Sequence, residues 1–115
     1  MDTMYAEEKF IQAEHALATG CGAIKARLKE AYRCLAPLNS EDLPEHLRQE
    51  FEWIISRLTT RPPLRPRYSD TVVSGRVSQT LHWMKNKTAK GIAERIVSLR
   101  SRLADYNDTH ARDTE

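Results

Sequence analysis

Over the C-terminal third of the chain, the side chains of one apolar stripe recur every three or four residues. They are Val77, Leu81, Met84, Thr88, Ile92, Ile96, Leu99, Leu103 and Tyr106. An α-helix turns once every 3.6 residues, so this spacing places all of them on one helical face. No stretch alternates apolar and polar residues over about six positions between turn residues, as a half-buried strand would. The sequence therefore predicts an all-α protein.

The predicted helices are long because residues that form turns are scarce. Only four glycines and five prolines occur in 115 residues. The first helix is predicted over 3–36, where a proline follows and ends it. The second is predicted over 44–58, with a proline in its first turn, and the third over 70–106, with Asp70 as its N-cap. We expect one domain, residues 1–115, folded as an antiparallel bundle of three long helices.

Residues 20–22, Gly-Cys-Gly, are the weak point of the first predicted helix. A turn at this point, together with a bend near Gly91, would give a bundle of four or five helices instead. Apolar side chains on both sides of the glycines, within 10–35, lie within about 40° of the direction of Phe10 at 100° per residue. Because a turn normally scrambles such a phase, we favour one continuous helix with Cys21 in the core.

Two segments outside the predicted helices differ in character. Residues 59–69 contain three prolines among basic side chains and are predicted to form a stiff linker, whereas residues 107–115 are predicted to be a flexible polar tail. The middle helix is less than half as long as its neighbours, so it covers only part of the groove between them. Either the long helices bend back, or the uncovered stripe pairs with a second copy to form a homodimer.

Charge is distributed unevenly along the chain. Residues 59–103 carry ten Lys and Arg against two Asp and Glu, although the formal net charge of the whole chain is only +2. Residues 1–58 carry seven against ten, and the last twelve residues carry one against four. A basic block between acidic ends indicates either pairing of opposite charges within the fold or attraction to an anionic partner.

Both tryptophans lie off the predicted apolar stripes. Trp53 points about 200° away from Phe51 on the second helix, and Trp83 falls among basic side chains of the third. Tryptophan and arginine are typical of the positions that dominate binding interfaces. Alternatively, each tryptophan faces a second part of the core, which Val72 and Val97, on the same side as Trp83, favour. The predicted partner-binding residues are Trp53, Arg61, Arg65, Arg67, Arg76, Trp83, Lys87 and Lys90.

Catalytic and metal-binding motifs are missing from the sequence. The four histidines are scattered singly, without the Cys and His spacing of a zinc site, and the two cysteines form no CxxC motif. We therefore predict no enzymatic activity, no cofactor and no metal. No apolar run approaches the roughly 18–20 residues that span a bilayer, and the acidic N-terminus lacks the layout of a secretory signal. A cytoplasmic protein that does not contact membranes is expected.

Three functions remain as hypotheses. The leading one is an adaptor, inhibitor or regulatory subunit that docks on another protein. The second is nucleic-acid binding through the basic segment 59–103. Within it, residues 87–96 resemble the first helix of a helix-turn-helix unit, but the following residues continue the same amphipathic pattern where a recognition helix should begin. The third is a self-assembling structural protein.

Overall fold

The computed structural model describes residues 2–20, 22–62 and 75–113, with the backbone alone for 111–113. This part of the chain is all-helical and contains no strand, so the predicted fold class is confirmed. Of the predicted linker 59–69, only residues 59–62 are described, and they are not helical. The elements in order are α1 (Thr3–Thr19), α2 (Ile24–Leu35), a 3-10 turn (Ser40–Asp42), α3 (Glu45–Leu58), α4 (Arg76–Trp83) and α5 (Asn86–Asp113).

The preference for one continuous first helix is wrong, because the chain turns at residues 20–22. Gly22 has a φ of 92°, in the left-handed region that glycine adopts without a steric penalty. At Gly20, a Cβ atom would lie 2.4 Å from the carbonyl oxygen of Ala16. The stripes of α1 and α2 share a phase because the two helices fold back on each other and both turn their apolar sides inward. Cys21, predicted to lie in the core, is outside the described residues.

The third predicted helix is also divided, since α4 ends at Trp83 and α5 begins at Asn86. Between them Met84 has an extended backbone, with φ −80° and ψ 143°, and its side chain packs against the core. The break allows α4 to cover α2 and α3, while α5 packs against α1, α2 and α3. Gly91, the site of the alternative predicted bend, lies inside the unbroken α5. The predicted cap Asp70 is outside the described residues.

A single cluster of apolar side chains forms the core where the helices meet. Phe10 of α1 and Phe51 of α3 pack edge to face, with ring centroids 6.0 Å apart and planes at 66°, a geometry that stabilises beyond burial alone. The C-terminal stripe is covered within the one chain, which removes the observation behind the homodimer prediction. Its buried members are Val77, Leu81, Ile92, Ile96, Leu99 and Leu103.

The beginning of α1 lies beside the end of α5, and the two helices run antiparallel. Buried Asn107 donates a hydrogen bond from Nδ2 to the carbonyl oxygen of Thr3 at 3.0 Å. Further along, Arg100 Nε lies 2.8 Å from Glu14 Oε2. Residues 107–113, within the segment predicted to be a flexible tail, are helical. Asn107 supplies a physical reason, because its amide has a specific partner on α1.

Candidate functional site

Trp53 lies on the outer edge of α3, where α5 runs alongside. Its side chain is part of the surface, since the residue is 38% exposed. Arg57, one turn later on α3, places its guanidinium carbon 5.7 Å from the indole centroid, and Arg95 of α5 places its own at 4.6 Å. The face of an indole attracts a cation. Two arginines from different helices therefore hold this tryptophan.

A carboxylate lies near one of these arginines. Oε1 of Glu50, three residues before Trp53, lies 3.8 Å from Nη1 of Arg95, and Oε2 of Glu50 contacts Nη1 of Arg102. Arginine fits a carboxylate with directional hydrogen bonds. This small network links α3 to α5 and places a carboxylate within ion-pair distance of the arginine that contacts Trp53.

Trp83, the last residue of α4, projects further into solvent than Trp53. It is 63% exposed, while α4 buries Val77, Thr80 and Leu81 on its inner side. The guanidinium carbon of Arg61 lies 5.6 Å from the centroid of the Trp83 indole. The Trp83 side chain thus contributes little to the core, and its main described cationic neighbour comes from the segment that follows α3.

Buried Thr80 positions Arg61 beside Trp83. Its Oγ1 accepts a hydrogen bond from the backbone N–H of Arg61 at 3.0 Å and donates one to the carbonyl oxygen of Arg76 at 2.7 Å. A hydroxyl has one donor and two acceptor sites, so both bonds form together. Thr80 thereby fixes the segment after α3 onto α4, three residues before the exposed indole.

A groove of about 390 Å³ lies between the end of α3 and the junction of α4 with α5. We call it the basic groove because three cationic side chains line it and, among the described residues, no carboxylate does. Its lining residues are Arg57, Thr60, Arg61, Thr80, Trp83, Met84, Lys85 and Thr88.

Arg57 connects the basic groove to Trp53, since it contacts that indole and also lines the groove. The two tryptophans and their arginines therefore belong to one continuous surface. We call it the tryptophan–arginine face, and it comprises Trp53, Arg57, Arg61, Trp83 and Arg95.

The predicted partner-binding residues fall into three groups. Trp53, Arg61 and Trp83 lie together on the tryptophan–arginine face. The other described members lie elsewhere: Arg76 is at the start of α4, and Lys87 and Lys90 are on the exposed side of α5. Arg65 and Arg67 lie outside the described residues.

The alternative interpretation, in which the tryptophans face a second part of the core, is wrong for both. The exposure of the two indoles excludes it, and Val97, which favoured it, is itself exposed. Val72 lies outside the described residues.

Sequence reasoning missed two members of this face. Arg57 follows Trp53 by four residues, so helical spacing alone could have paired them. Arg95 approaches the same indole from α5, and only the packing of α5 against α3 brings it there. No pattern in the sequence predicts this contact.

Within the described ranges, no three His, Cys, Asp or Glu side chains are grouped so that they could hold a metal ion. No helix in the same part of the chain has the length and apolar character needed to cross a membrane.

The chain was compared with known proteins in three ways. Comparison with protein-family models, with curated proteins and with solved structures found no match.

Proposed function

We propose that this chain is a small, non-enzymatic helical binding protein: an adaptor, inhibitor or regulatory subunit that docks on another protein through the tryptophan–arginine face. The observation that carries the proposal is the pair of exposed tryptophans, Trp53 and Trp83, each in contact with arginine. Tryptophan and arginine are the residue types most enriched among the positions that dominate protein interfaces. Finding both types together on one surface supports a docking role.

The contacts among the side chains of this face also support the proposal. Trp53 is in contact with two arginines, one of which also forms an ion pair with Glu50. A side chain that is already restrained loses less conformational entropy when a partner covers it. The face is therefore suited to binding without extensive rearrangement.

Nucleic acid is the main competing partner, and the ion pairs of α5 weaken that alternative. Arg95 and Arg102 contact Glu50, and Arg100 pairs with Glu14. Affinity for phosphates depends on cations that are free to replace the counterions of the nucleic acid. Three of the basic residues in segment 59–103 already face carboxylates of the same chain. Fewer cations are therefore available to bind phosphate groups than the net charge of the segment suggests.

Self-assembly has lost its supporting observation, since the apolar stripe of α4 and α5 is buried within one chain. Light scattering of the purified protein measures the oligomeric state directly, and a homodimer would appear as twice the mass of one chain. We also propose a cytoplasmic location, which the low cysteine count supports, because disulfide frameworks are typical of oxidising compartments.

The proposal is tested by capture from a nuclease-treated extract of the native host, with the full chain immobilised. We expect Trp53→Ala and Trp83→Ala each to reduce capture of the partner by about tenfold or more. Met4→Ala is the matched control, because Met4 is as exposed as Trp83 but lies on α1, outside the face. Docking through this face is contradicted if both tryptophan variants capture the partner as well as the unmodified chain does. Docking on a protein is contradicted if capture occurs only from an extract that has not been treated with nuclease.

A further inference from the structure

We propose that the basic groove binds an acidic segment of the protein partner. Carboxylates of Asp or Glu would be held by Arg57, Arg61 and Lys85, and an apolar side chain of the same segment would pack against Trp83 and Met84. This inference rests on the proposed function and specifies the chemistry of the partner.

Charge in the basic groove is not balanced by carboxylates, in contrast to four other arginines of the described chain. Several arginines meet a carboxylate within the fold. These pairs are Arg33 with Glu30, Arg100 with Glu14, and both Arg95 and Arg102 with Glu50. Arg57, Arg61 and Lys85 form no ion pair with any described residue, and they line one groove. Like charges held close together repel each other, so carboxylates entering the groove would relieve that repulsion.

Arg61 is placed to present its donors to such a carboxylate. Its backbone is fixed by Thr80 and its guanidinium lies over the indole of Trp83. A guanidinium in contact with an aromatic ring keeps its N–H groups, which form a fork that matches the two oxygens of a carboxylate. The contact with Trp83 therefore orients this cation and leaves its donors available to a ligand.

The walls of the groove favour a peptide as the source of the carboxylates. Trp83 and Met84 supply an apolar surface next to the cations, and the flexible thioether of methionine adapts to side chains of different shape. The volume of about 390 Å³ lies near the lower end of ligand pockets, which span about 300–1,000 Å³. That volume suits a few side chains of one segment, acidic residues flanking an apolar one.

Single-stranded nucleic acid also uses aromatic stacking beside cations, but in the direction of Trp53 the cationic surface meets a carboxylate. Two arginines further along α5, Arg95 and Arg102, face Glu50 of α3, whose carboxylate would repel phosphate groups. An acidic peptide needs only the groove itself. We therefore favour the peptide, and nucleic acid is one outcome of the test.

The test uses the fluorescence of Trp83 in the full chain. Trp53→Phe leaves Trp83 as the only tryptophan, because the chain has two. The probe is a synthetic peptide of Glu, Asp and Leu without aromatic residues, and the reference is the same peptide with Gln and Asn in place of the acids. We expect saturable binding of the acidic peptide and binding at least about tenfold weaker for the neutral one. Oligo-dT is titrated in parallel.

Matched charge variants separate a specific groove from general attraction. In the Trp53→Phe chain, Arg57→Gln with Arg61→Gln should weaken acidic-peptide binding by about tenfold or more. Lys87→Gln with Lys90→Gln removes the same charge from the exposed side of α5 and should change it by no more than about twofold. Circular dichroism melts establish that all variants fold.

Three results would overturn the inference: no saturation with the acidic peptide, equal weakening by both pairs of substitutions, or tighter binding of oligo-dT than of the peptide. The inference and the proposed function can fail separately. If the acidic peptide fails to bind while tryptophan-dependent capture from the extract persists, the groove ligand is refuted and the docking function stands. If that capture is absent, the docking function itself is refuted.

Discussion

The hydroxyl of Thr80 accepts a hydrogen bond from the backbone N–H of Arg61, a residue 19 positions earlier in the chain, at 3.0 Å. The bond fixes the segment after α3 onto α4, at the point where the Arg61 side chain meets Trp83. One buried threonine thus determines where a cation and an exposed indole come together.

Replacing this hydroxyl should loosen the basic groove. We expect Thr80→Val to lower the free energy of unfolding by about 1–2 kcal/mol, because both hydrogen bonds of the buried hydroxyl are lost. Urea denaturation measures the change. Thr60→Val is the control, since Thr60 is exposed at the rim of the same groove, and it should shift stability by less than about 0.5 kcal/mol. Similar losses for both variants would show that the Thr80 bonds contribute nothing particular.

Two glycines should respond to alanine in opposite directions. Gly22→Ala places a Cβ at a φ of 92° and should destabilise the fold by about 1–2 kcal/mol, the usual strain of an L-residue in that region. Gly91→Ala should instead stabilise it by about 0.5–1 kcal/mol, because Gly91 lies inside α5 with open space where a Cβ would go. Thermal melts of both variants give the signs. Stabilisation by Gly22→Ala would contradict the turn between α1 and α2.

Aromatic side chains of the core and of the surface should differ sharply in their effect on stability. Phe10 is fully buried against Phe51, and Phe10→Ala should cost about 3–5 kcal/mol. Trp83→Ala should cost less than about 1 kcal/mol, since most of that side chain faces solvent. Chemical denaturation of the two variants makes the comparison. A large loss of stability for Trp83→Ala would place this indole in the core and remove it from the proposed docking surface.

Replacing Glu50 should change the surroundings of the Trp53 indole more than it changes the free energy of unfolding. Glu50→Gln removes the charge that contacts Arg95 and Arg102, and we expect a loss of about 0.5–1 kcal/mol at low salt. In a Trp83→Phe chain, the emission of Trp53 should also change. Glu52→Gln is the control, because Glu52 is exposed on α3 and forms no ion pair with a described residue. An unchanged emission spectrum in Glu50→Gln would contradict the link from Glu50 through Arg95 to Trp53.

Helical periodicity was sufficient to predict the fold class and much of the core. Between Val77 and Leu103, six residues of the predicted stripe are buried, and Met84 and Thr88 are partly buried. The breaks between helices were not predictable from the same pattern. The stripes of α1 and α2 keep a common phase across Gly22, and the break at Met84 contains neither glycine nor proline. Periodicity indicates which side chains face the core. The same periodic pattern is compatible with two helices joined by a turn and with one continuous helix.

The candidate site was only partly predictable, for a related reason. Trp53 and Trp83 could be predicted as surface residues because they lie off the apolar stripes. The position of a residue relative to a stripe depends only on the helix that carries it. Arg95 contacts Trp53 only through the packing of α5 on α3. Lys87 and Lys90 share the basic segment with Arg61 but lie on the exposed side of α5. Net charge along a sequence does not reveal which cations a fold pairs with its own carboxylates.

The hydrogen bond from Asn107 to Thr3 has a practical consequence for handling the protein. It brings the first turn of α1 and the last turns of α5 to the same end of an elongated molecule, 59 Å in its longest dimension. Asn86, next to the Trp83 junction, is separated from Asn107 by about 30 Å of helix at 1.5 Å per residue. A dye or surface tether attached at either of these helix ends would therefore stand clear of the Trp83 indole.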